Sequence, residues 1–214
     1  MADSNIDVIS QALARLGEPA ITTITGSDLT DTEEKCAQLY APTIRALLGM
    51  HDWSFASKRA ALSVDGAATP INEWTYAYLL PSLQTERLGK PRAVYNSTAV
   101  HAPKFFDYEI EQKWLLTNAT TIVIEYTYLV PESLWPGYFQ AFVIEALAAT
   151  LALPVTENAS KEEWHQLKAF GTASDGGRGG LYGMARSADA MGDPTVSLLD
   201  DDDPMAAARF GGSY

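Results

Sequence analysis

His51, His101 and His165 are the side chains best suited to acid–base work or metal binding, and none stands in an HExxH, HxH or comparable spacing. They read as surface or internally satisfied histidines. Cys36 falls on the apolar face of a helical stretch, where a thiol is inert core material. Glu109, Glu111 and Glu125 lie on strand-like stretches, and two of them facing each other would make a hydrolytic pair. Carboxylates on exposed sheet faces are commonplace, so the pattern carries little. Gly177-Arg178-Gly179-Gly180-Leu181-Tyr182-Gly183 has a phosphate-loop flavour. However, it follows a helix rather than a strand and lacks Gly-Lys-Ser/Thr, and it reads as a hinge. Asp200, Asp201, Asp202 and Asp203 lack the ligand and glycine spacing of a calcium loop, which leaves a solvated acidic run. There is no Gly-x-Ser-x-Gly elbow. No catalytic constellation, cofactor motif or metal set emerges, and the expectation is a protein that is not an enzyme.

The organising stretch is 121–154. Residues 121–130 are rich in β-branched and aromatic side chains and read as a strand stopped by Pro131. After Trp135-Pro136, the side chains Phe139, Phe142, Val143, Ala146, Leu147 and Leu151 form a helical stripe. The other face is nearly as apolar, interrupted by Gln140, Glu145 and Thr150. Such a helix must be covered on more than one side, by a large core or by a neighbouring subunit.

Upstream, Ser4 caps a helix whose stripe is Ile6, Ile9, Ala12, Leu13 and Leu16, and Gly17-Glu18-Pro19 ends it. A second helix over 31–48 presents Cys36, Leu39, Tyr40, Thr43, Ile44, Leu47 and Leu48. Pro42 should bend it, and the two helices should form a hairpin. Strand-like runs follow at 55–64, 92–96, 105–111 and 113–117. Trp74, Tyr76 and Tyr78 form an aromatic edge on one side of their stretch. Short turns between these runs favour an antiparallel sheet. Pro154 marks a break, Ser160-Lys161-Glu162-Glu163 offers a capping box, and a helix over 160–170 is interrupted by the glycine-rich 171–180. Residues 184–191 allow a further short helix.

The expected fold is therefore α+β. A bundle of about four helices (4–16, 31–48, 136–153, 160–170) has a long central member and carries an antiparallel sheet insertion over 53–130. Residues 1–191 form one domain, and 192–214 form a flexible C-terminal arm.

The 214 residues include 15 basic and 27 acidic side chains, a formal charge of −12 that disfavours tight nucleic-acid binding. A single cysteine excludes an internal disulfide. The longest apolar run, 142–153, falls short of a membrane span, and the acidic N-terminus has no signal-peptide pattern. Three Asn-x-Ser/Thr matches read as chance. Trp53, Trp74 and Trp135 are assigned to the core. Arg209, Phe210 and Tyr214, which have no core to join, read as interface residues.

Taken in order, several stretches resemble one family. Ile9-Ser10-Gln11-Ala12-Leu13-Ala14-Arg15-Leu16-Gly17-Glu18-Pro19 with its Thr-rich sequel, and His51-Asp52-Trp53-Ser54-Phe55-Ala56, are similar to the opening helix and helix-to-strand junction of the phage head-to-tail connector adaptors. This is the family of the tail tubular protein A of short-tailed phages. Trp74-Thr75-Tyr76-Ala77-Tyr78-Leu79-Leu80-Pro81 resembles their W-x-Y-x-Y-x-L-P segment, although 82–88 departs from the run that usually follows. Stretches 115–118, 122–128, 139–154 and 185–190 resemble the remainder.

The resemblance covers about 5–190 and implies a virion neck protein assembled in the host cytoplasm. It implies a homo-oligomeric ring, usually a dodecamer, under the portal protein. Such a ring joins the portal to a tail nozzle or stopper, and DNA only passes through its channel. In related adaptors the C-terminal segment engages the portal, which here points to Leu198, Leu199, Met205, Arg209, Phe210 and Tyr214. No cofactor or membrane is implied. The alternatives are a stopper or tail-completion role in the same neck, or a sheet module that binds or cleaves glycans.

Overall fold

The computed structural model describes residues 4–68, 70, 73–83 and 85–192 and has an α+β fold. Helix α1 (Asn5–Leu16) starts at Ser4, whose side chain accepts from the Asp7 N–H. It ends at Gly17, where φ is 80° and the N–H meets the Ala14 and Leu13 carbonyls. Helix α2 (Asp31–Gly49) opens with a capping box in which Thr30 and Glu33 satisfy each other's backbone N–H groups. It runs on through Pro42, which is exposed. Helix α3 (Gly137–Thr156) carries the anticipated stripe. It also continues past Pro154, and Glu157 in the left-handed region closes it. Helix α4 (Ala159–Phe170) is capped by the Asn158 side chain rather than by Ser160. Helix α5 (Gly180–Ala190) is the further short helix that 184–191 allowed, beginning four residues earlier.

The Thr30 cap has a consequence for acid stability. Its hydrogen bonds hold the Glu33 carboxyl at about 2, below the ordinary 4.5. A carboxylate depressed in the folded chain binds fewer protons than in the unfolded chain. Its stabilisation is therefore complete above the ordinary value and is lost as pH falls toward 2. Melting temperature measured from pH 5 to 2 should fall less steeply in Glu33→Gln than in the parent. Parallel curves would show that this cap does not contribute to the slope.

The apolar faces of α1, α2, α4 and α5 all close on α3. This explains why α3 is apolar nearly all round: Phe139, Phe142, Val143, Ile144, Leu147, Ala148, Leu151 and Ala152 are buried against its own chain. Of the two expected covers, a large core or a neighbouring subunit, it is the core that serves, with four helices of the same chain supplying it. By length and a mean hydropathy of 1.6 α3 would cross a membrane, but 67% of that window is buried inside the protein, as befits a core helix. The expected α1–α2 hairpin is corrected. Each of the two packs on α3 far more than on the other.

The glycine-rich 171–180 is no spacer. Thr172 and Asp175 form a capping box around a 3₁₀ turn (Ala173–Asp175), and the Gly179 N–H donates to the Phe170 carbonyl at 3.0 Å. A Cβ on Gly171 would lie 2.7 Å from Asp175 Oδ2 and 2.8 Å from the Gly179 Cα. Glycine is used here for close approach of backbones, so that α5 can fold back on α4.

The strands form two three-stranded antiparallel sheets instead of one. Strand β6 (Val123–Tyr128) is central between β1 (Ser57–Ala61) and β3 (Arg87–Tyr95), with Arg59 opposite Glu125. Strand β5 (Trp114–Thr117) is central between β2 (Tyr76–Leu79) and β4 (Glu109–Glu111). Tyr78, Leu80, Leu115, Val94, Ile122, Ile124 and Tyr126 make a second core shared by the two sheets. Tyr128 packs against both this core and the helical one, and Leu88 of β3 enters the helical core. Arg92 completes the junction by donating to the Trp53 carbonyl and the Thr127 hydroxyl, both at 2.9 Å, and pairing with Asp52 at 3.2 Å.

Candidate functional site

The described structure has its densest charge chemistry on α3. Glu145 stands where the helix is otherwise apolar, and its side chain is wholly buried. One oxygen accepts from Arg15 of α1 at 2.5 Å. The other meets His165 Nδ1 at 2.6 Å and lies 3.5 Å from the Lys168 ammonium, both on α4. A carboxylate removed from water requires such partners, and three helices are tied together by supplying them. The Arg15 and Lys168 side chains are each 43% exposed, so the cluster reaches the surface. There it opens into a groove of about 510 Å³ lined also by Gly180, Leu181 and Met184.

Around this groove lies an apolar band. Trp164 and Leu167 are exposed one turn apart on α4, with the Lys168 ammonium 5.2 Å from the Trp164 ring centre. Met184 on α5 and Met191 at its C-terminal cap, 68% and 86% exposed, are two turns apart. Large apolar side chains clustered on adjoining helices mark a contact surface. The arrangement can bind; it has no nucleophile and no open pair of acids.

A second carboxylate fastens α5 to the rest. Asp189 is buried and accepts from the Ser54 hydroxyl at 2.7 Å, the Ser54 N–H at 2.9 Å and the Tyr138 hydroxyl at 2.6 Å. Sequence spacing could not reveal either carboxylate site, since Arg15 and Glu145 are 130 residues apart and Ser54 and Asp189 are 135 apart. The one local signal was an acid interrupting an apolar helix.

The candidates singled out above fare differently. Cys36 is buried, and desolvation followed by the nearby Glu33 charge pushes its thiol up to about 11, as fits a core position. His51 stacks edge-on to Trp53 at 4.9 Å, and burial lowers its pKa, with Arg186 adding to the effect. His101 sits exposed in a loop with φ of 59°. His165 is buried and partnered by Glu145, an internally satisfied histidine as expected. Glu125 and Glu109 lie on different sheets. Glu125 accepts from Arg59 at 2.8 Å and Ser57 at 3.1 Å, and Glu109 from the Trp74 indole at 3.3 Å. The structure does not bring them together as a hydrolytic pair. Trp53 and Trp135 are core as anticipated, whereas Trp74 is only half-buried. The Tyr76–Tyr78 edge turns inward to the sheet core.

Leu198, Leu199, Met205, Arg209, Phe210 and Tyr214 lie outside the described residues. Among the described residues no three His, Cys, Asp or Glu side chains are grouped to hold a metal ion. No protein-family model matches the chain, and no curated protein matches it.

Proposed function

We propose that this chain is a head-to-tail connector adaptor of a tailed bacteriophage, forming a ring beneath the portal and surrounding the path of the exiting genome. What supports the reading is the order of the resembling stretches together with their positions in the fold. The first stretch is α1. The Trp53–Phe55 junction is the point where α2 hands over to the first sheet. The Trp74–Pro81 stretch runs through β2, and the 139–154 stretch is the central helix. The exposed band on α4 and α5 offers a surface for a neighbour, now that α3 no longer needs one. A charge of −12 per copy, repeated around a ring, repels a DNA backbone rather than trapping it.

Electron microscopy of the protein mixed with its own portal rings tests the reading. A second ring stacked coaxially on the portal is the expected result, and a chain cut after residue 192 should lose that stacking. Separate particles would move the assignment to a stopper lower in the neck. A lasting monomer would favour the glycan-binding module. Two indole–carboxylate pairs of the second sheet speak for that module, Trp74 with Glu109 and Trp114 with Asp65.

A further inference from the structure

The groove between α4 and α5 carries a charge imbalance that its own residues do not cancel. Arg15 and Lys168 supply two cations against the single Glu145 carboxylate, and both are half in water beside apolar Leu181 and Met184. The matching occupant is an acidic segment led by apolar residues. This chain carries one: Leu198 and Leu199 are followed directly by four aspartates at 200–203.

The segment is also within reach. The six residues from Gly192 to Leu198 span up to about 20 Å when extended. Met184 lies only about 10 Å back along α5 from Met191. Asp193 and Pro194 follow Gly192 directly in the sequence, and both residue types favour turns.

We propose that in the free chain the 198–203 segment folds back onto this groove, with Leu198 and Leu199 on Met184 and Leu181 and the aspartates toward Lys168 and Arg15. The segment thereby covers part of the apolar band of its own molecule. The fold-back does not depend on the connector reading. If that reading holds, the portal and the groove compete for Leu198 and Leu199.

The test is disulfide trapping in the isolated full-length chain, with Cys36→Ala removing the native thiol. Met184→Cys is paired with Leu199→Cys, and the control pair is Ala190→Cys with Leu199→Cys. Ala190 is exposed, nearer in sequence and outside the groove, so tethering alone would favour the control. At dilute protein under mild oxidant, the Met184 pair should close within one chain about tenfold faster than the control. High salt, or asparagine at 200–203, should slow it toward the control rate. Equal rates for the two pairs would overturn the proposal, as would a salt-independent rate. Bonds formed only between chains would overturn the fold-back and assign the groove to a second copy. None of these results bears on whether the protein stacks on a portal.

Discussion

A chain in which Arg15 and Lys168 are both methionine is expected to lose about 3 kcal/mol of folding stability. The two cations leave little trace on the surface, yet they set opposite charge against a Glu145 side chain that has no exposure. Methionine keeps the hydrocarbon stems and withdraws the charge, so Glu145 is left with His165 alone. The low end of the range for breaking a buried pair applies because both cations are partly hydrated already. Adding Glu145→Leu and His165→Leu to the double variant should restore most of the loss, since an apolar replacement of the whole cluster removes the desolvation cost along with the attraction. Urea midpoints at unchanged m-value are the measurement. If the double variant is as stable as the parent, the cluster does not hold the three helices in place.

Trp53→Ala should cost about 3–5 kcal/mol, the usual toll for deleting a fully buried large aromatic side chain. The indole is surrounded by rings: Phe139 and His51 at 4.9 Å, Phe55 at 6.0 Å, Tyr182 at 6.2 Å and Phe142 at 6.4 Å. Its N–H donates to the Leu47 carbonyl at 3.2 Å. Truncation thus opens a cavity at the point where α2, α3 and α5 meet, and it leaves the Leu47 carbonyl with the more distant Met50 N–H at 3.4 Å. Trp53→Phe should recover the packing but not the hydrogen bond, giving an intermediate loss. Thermal unfolding of the two variants gives the ranking; an alanine variant that melts with the parent would mean the site collapses without penalty.

The features legible in the sequence are those with local causes. The span of α1 follows from Ser4 and from Gly17 with Pro19, because a cap and a left-handed stop act within one turn. The stripe of α3 was equally plain. What covers α3 was not, because composition says only that a face must be buried. Which helices bury it depends on the path of the whole chain. The same limit hid the two sheets: Arg59 and Glu125 are brought together by strand pairing across 66 residues, and alternation alone does not choose a partner. The glycines at 171–180 were misread for a different reason. Glycine permits flexibility and close approach alike, and only the positions of Asp175 and Gly179 show which is used. Of the site, Glu145 was visible as an interruption of an apolar helix, but nothing near it named Arg15 or His165. The arm expected at 192–214 lies, past residue 192, outside the described residues.

The meeting of two separate cores at so small a junction has a mechanical side. Of the helix–strand contacts α2 with β3 is the most extensive, and Arg92, Tyr128 and Leu88 do most of the joining. A load placed on the sheets therefore reaches the bundle through few routes: the Arg92–Trp53 link, the packing of Leu88 and Tyr128, and the two chain segments that join α2 to β1 and β6 to α3. Each core can then open with its own free energy, the sheets loosening while the helices hold.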